Sequence, residues 1–81
     1  MTLKLYDRIA LKIAVPEYEL QPGDVATLID LVDHPSGGLR GCVIEVFNAL
    51  GDSVAVVTVP ENAVEALRAN EVLAVRPRAV A

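Results

Sequence analysis

Asp30-x-x-Asp33-His34 sets an imidazole beside two carboxylates, a nitrogen and oxygen donor set of the kind zinc or iron accepts. Three ligands so close along one stretch of chain rarely converge on a point, so a solvated loop histidine is the expectation. Cys42, the single cysteine, is a conceivable nucleophile. A thiol acts that way when electropositive surroundings lower its pKa and solvent reaches it, whereas Cys42 falls at an inward position of an apolar strand. Asp7, Asp24, Asp30 and Glu45 are the carboxylates available for acid–base work, but no spacing pairs two of them, and each fits a strand start, a turn or a solvent face. Gly37-Gly38 is too short for a phosphate loop and no helix follows it. The residues therefore point to no enzyme, no metal and no cofactor.

The elements that hold these residues are strands. Residues 7–13 alternate, with Ile9, Leu11 and Ile13 on one side and Arg8, Ala10 and Lys12 on the other, the pattern of a half-buried strand. Pro16 ends it and a loop follows, closed by Pro22-Gly23, where proline presets one corner of a type II turn and glycine supplies the positive φ of the next. A second strand over 25–32 is apolar on both parities, as in a strand covered on both faces or one that bulges and switches face. Residues 33–38 form a loop.

A third strand over 40–47 points Cys42, Ile44 and Val46 inward, and a fourth over 53–59 points Ala55, Val57 and Val59 inward. The hairpin between them places Gly51 where a left-handed residue is needed. Pro60 opens one helical turn over 60–64, with a full helix over 61–70 as the alternative, and a last strand is expected at 72–75. From Arg76 onward the chain reads as a tail, so a single domain has its core at about 5–76.

Composition narrows the function classes. The 81 residues make one small domain, whose three aromatics, Tyr6, Tyr18 and Phe47, leave the core to Val, Leu, Ile and Ala. A net charge of −4 is the wrong sign for a protein that gains affinity by displacing counterions from phosphates. The basic residues Arg68, Arg76 and Arg78 gather near the end while most acids precede Phe47, a mild dipole with a basic tail. One cysteine forms no internal disulfide and fits a reducing compartment. No stretch approaches the roughly 18 apolar residues of a membrane span, so a soluble cytoplasmic protein is expected.

Five short strands, a long first loop, a hairpin and one helical turn before the last strand describe an SH3-like small barrel, mainly β. Asp7-x-Ile9-Ala10-Leu11, Val15-Pro16-Glu17-Tyr18-x-Leu20-x-x-Gly23-Asp24-Val25-x-Thr27, Glu45-Val46-Phe47 with Gly51 after it, and Val57-x-Val59 resemble the small bacterial family called domain of unknown function 4926. The likeness runs from about Leu5 to Val75. Ala26 stands where such turns often carry a second glycine, and the loop at 33–38 departs from the family pattern. The resemblance implies a bacterial, stand-alone barrel similar in topology to SH3 and KOW modules, and it brings no catalytic residues.

Val43, Phe47, Val54 and Val56 share the outer face of strands three and four, an apolar strip that wants a cover the short chain is not expected to supply. With Tyr18, an aromatic at the edge of a small barrel, they are the candidate partner-binding residues. The leading expectation is a non-catalytic module that associates with itself or another protein through this strip. A nucleic-acid or ribosome-associated accessory is the alternative by analogy of fold, resting on Arg68, Arg76 and Arg78. A regulator of a partner encoded nearby is the third.

Overall fold

The computed structural model describes residues 3–78. Five antiparallel strands, β1 (Arg8–Leu11), β2 (Val25–Val32), β3 (Gly41–Phe47), β4 (Ser53–Pro60) and β5 (Val64–Ala66), form one sheet in the order β4-β3-β2-β1-β5. The only helical pieces among the described residues are two 3-10 turns, η1 (Pro16–Tyr18) and η2 (Glu61–Ala63). The expected mainly β domain with one helical turn before the last strand is present.

The sheet has to roll. In a flat sheet its outermost strands, β4 and β5, would lie roughly 19 Å apart at the usual strand spacing. They are joined only by η2, whose three residues advance about 6 Å at the 3-10 rise. Rolling lets one concave face bury itself without a second layer: Ile9, Leu28, Cys42, Ile44, Val57, Val59 and Val64, drawn from all five strands, share one cluster. The roll stops short of closure, since β4 and β5 are not hydrogen-bonded to each other.

β2 bends to serve both halves of this sheet. Its first residues pair with β1 and its later ones with β3, and the register slips between Leu28 and Asp30. Leu28 faces Ile44, but after the bulge Asp30 faces Val43 and Leu31 faces Cys42. The extra residue therefore turns Asp30 outward and sends Leu31 to pack on the core. That switch is why β2 reads as apolar on both parities.

Two tight turns behave as their residues require. The Asp24 N–H donates to the Gln21 carbonyl across Pro22-Gly23, with Gly23 at φ 93°. In the β3–β4 hairpin the Asn48 side-chain oxygen accepts from the Leu50 and Asp52 amides, and Gly51 sits at φ 89° with open space where a Cβ would be. Gly51→Ala therefore meets no steric clash and isolates the backbone cost. We expect a loss of about 1 kcal/mol, near 5 °C in thermal midpoint, measured by calorimetry.

Three expectations are corrected. β1 ends at Leu11, and Ile13 is 42% exposed rather than inward: the Lys12 N–H to the Ala63 carbonyl is the last bond in register with β5, and the chain bends at residues 12–13 toward η1. The first loop contains η1, with proline at its first position and Glu19 in the left-handed region behind it. The last strand is β5 at Val64–Ala66, not 72–75: Val64 and Ala66 register against Leu11 and Ile9 immediately after η2, so the vacant edge of β1 is filled before the chain reaches Val72.

Candidate functional site

Residues on the outer face line up in rows across the sheet. Arg8, Thr27, Glu45 and Val56 form one row, and Asp30, Val43 and Thr58 another. Alternation along β3 and β4 sets Val43, Phe47 and Val56 on this face. Val43 is half-buried between Asp30 and Thr58, whereas Phe47 and Val56 are 44% and 50% exposed. Val54 departs from the expected strip. The register slips so that Phe47 pairs with Ser53, leaving Val54 as the bulged residue, half-buried and packed against the core. Tyr18 stands apart on η1, exposed.

At one end of the face the chain itself supplies a second wall. Residues 67–78 form no regular structure and run along a groove whose opposite wall includes Ala10, Val25, Phe47 and Glu65. Ala10 belongs to the outer face, paired with Val25 and Glu65, yet is buried. This segment is fastened at its far end. Arg76 Nε donates to Asp24 Oδ1 at 2.8 Å, and Arg76 Nη2 donates to Asp24 Oδ2 and to the Glu19 carbonyl. Arg78 Nη2 donates to the Tyr18 carbonyl at 2.9 Å. What the sequence presents as a basic tail is a strap as far as Arg78; residues 79–81 of that tail lie outside the described residues.

Asp24, weighed in the sequence for acid–base work and read as a turn residue, is the anchor of the strap. Partial burial pushes its carboxyl up, but hydrogen bonds from Arg76 and the Gln21 amide, with the charges of Arg76 and Arg78, outweigh that and hold it below its ordinary value of 3.8. The signal available beforehand was coarse: acids early, arginines late. Folding lays the basic end on the acidic beginning.

The other candidates separate. Among the described residues no three of His, Cys, Asp and Glu come together, so Asp30, Asp33 and His34 do not converge. His34 instead accepts the Ser36 N–H on Nδ1, and its ring stands over Gly38. Cys42 is fully buried, and burial followed by the nearby Glu61 charge pushes its thiol up, away from the thiolate. Asp7 and Glu45 take their places on strand β2's flanks, Asp7 through its carbonyl to the Leu28 amide and Glu45 opposite Thr27.

A family model described as Domain of unknown function (DUF4926) matches residues 5–66. The chain belongs to that family. The match ends with the last residue of β5, so in this DUF4926 chain the rolled sheet is the family's part and the strap follows it. Neither a curated protein nor a solved structure matches the chain significantly. No helix among the described residues is long and apolar enough to cross a membrane.

Proposed function

We propose that the protein is a non-catalytic bacterial interaction module, working in the cytoplasm, whose β3–β4 hairpin binds protein, either a second copy or another chain. The observation that carries this reading is the exposure of Phe47 and Val56 on one face of the hairpin. An aromatic and a β-branched side chain held on paired strands lose little freedom when they become buried, which is how small binding surfaces concentrate affinity. The strap leaves both partly open to solvent. A single buried cysteine and a core that, among the described residues, holds no polar side chain accord with a binding role in a reducing compartment.

The double variant Phe47→Asp/Val56→Asp tests it. Association, read as self-association by light scattering or as capture of a host protein, is expected to fall at least about tenfold. A wild-type chain that stays monomeric and captures nothing, or a double variant that associates unchanged, overturns the reading.

Nothing favours the nucleic-acid alternative. Arg76 is taken up by Asp24, Arg78 donates to the Tyr18 carbonyl, and Arg68 lies 3.7 Å from Glu65. A basic face built from these three arginines would draw on groups that already have acceptors.

A further inference from the structure

From the free edge of β4 we infer that the protein forms a two-fold symmetric dimer in which β4 pairs antiparallel with β4 of a second copy. This rests on the reading that the β3–β4 hairpin is the binding element, and it names the occupant and the contact.

Among the described residues β4 is paired with β3 on one side and with no strand on the other. Edge strands of this length are normally blunted by charge, by proline or by a bulge, because their unpaired backbone groups template further pairing. Here the bulge at Val54 and Pro60 protect only the two ends. Between them Ala55, Val56, Val57, Thr58 and Val59 form an unprotected run with no charge and strong β propensity.

Charge argues for a second copy rather than an unlike partner. A chain of net charge −4 repels itself unless two copies meet at neutral surface. β1 carries Arg8, β2 Asp30, β3 Glu45 and β5 Glu65; β4 alone has no charged side chain. An edge lacking charge offers no sign by which an unlike partner is selected, but it suits its own copy.

The ladder fixes the register. Glu61 N–H donates to the Arg40 carbonyl, which makes that a hydrogen-bonded pair, and alternation then turns the backbone groups of Val59, Val57 and Ala55 toward β3. The N–H and C=O of Val56 and Thr58 face the open side. A two-fold axis at Val57 lies midway between the bulge and Pro60 and sets Val56 opposite Thr58 of the second copy, satisfying all these groups at once. Antiparallel pairing of a strand with itself is isologous, so the assembly closes at two and the sheet becomes ten strands wide.

Sedimentation equilibrium at about 100 µM on the full chain, with backbone amide exchange by NMR, tests it. The wild type and Val75→Ser, a change on the exposed strap away from the hairpin, are expected to show twice the 8.6 kDa chain mass. Val56→Pro, which removes an N–H that the β3 ladder does not use, is expected to show the single mass. The Val56 and Thr58 amides should exchange about 100-fold more slowly in concentrated than in dilute wild-type protein, a readout that does not depend on any variant folding. If Phe47→Asp abolishes the dimer while Val56→Pro keeps it and those amides stay fast, copies stack by their faces; the edge pairing falls and the hairpin reading stands. A monomeric wild type overturns the edge pairing and leaves only an unlike partner for the hairpin.

Discussion

Replacing Ile44 by alanine is expected to cost about 3–4 kcal/mol and to bring the folded state close to its limit. Ile44 is fully buried at the middle of β3, the central ladder residue between Leu28 on β2 and Val57 on β4. The rolled sheet has one concave face and nothing behind it, so the space vacated by three carbons has no second layer to settle into it. With stability on the order of 4–12 kcal/mol for a chain of this length, the loss is a large fraction of the whole. A urea midpoint lowered by about 3 M, at the slope of about 1 kcal/mol per molar usual for small domains, is the measurement. Val75→Ser on the strap, where the side chain is 94% exposed, should change stability by no more than about 0.5 kcal/mol, a midpoint shift of about 0.5 M at most, and serves as the control. Equal losses at the two positions would mean that the inward residues of β3 are not the core.

Ile44 was legible as core from alternation alone, and so were Cys42, Val46, Ala55, Val57 and Val59, because β3 and β4 have one buried face and a period of two. The turns at Gly23 and Gly51 were legible for a different reason: positive φ is nearly a glycine signature. β2 was only half legible. Alternation shows that its two faces are both apolar, but the bulge residue is chosen by how Leu28 and Leu31 both reach the concave side, which depends on β3. The last strand misled for a related reason. Val72, Leu73 and Val75 have stronger β propensity than Val64, Glu65 and Ala66, yet propensity yields to the register that η2 imposes against β1.

Within the candidate site, Val43, Phe47 and Val56 followed from the same parity argument, while Val54 left the strip through a bulge that parity does not foresee. The strap beside the Phe47 end was legible only as acids early and arginines late. It depends on Arg76 meeting Asp24 across 52 residues, a distance over which charge type carries no register.

That contact leads to the second large expectation: neutralising Asp24 frees the strap. The Asp24 carboxylate takes two hydrogen bonds from Arg76 and one from the Gln21 amide, and the pair is only partly exposed, with side-chain accessibilities of 28% for Arg76 and 18% for Asp24. Because the folded state holds this carboxyl below its ordinary value of 3.8, its contribution is present above that pH and is lost as pH falls through the depressed folded value. Neutral and mildly acidic solutions therefore keep the strap fastened, and strongly acidic ones release it. Asp24→Asn imitates the acid state at neutral pH while keeping an oxygen for the Gln21 amide, so the Pro22-Gly23 turn survives and only the ionic fastening goes. Trypsin cleavage after Arg68 and Arg78 is expected to become at least roughly tenfold faster in the variant, with the Ala10 and Val25 signals shifting as the groove opens. High salt should act in the same direction on the wild type by screening the pair. Unchanged cleavage in Asp24→Asn, with the sheet intact, would mean that Val72, Leu73 and Val75 hold the strap by themselves, which their exposures of 91%, 54% and 94% argue against.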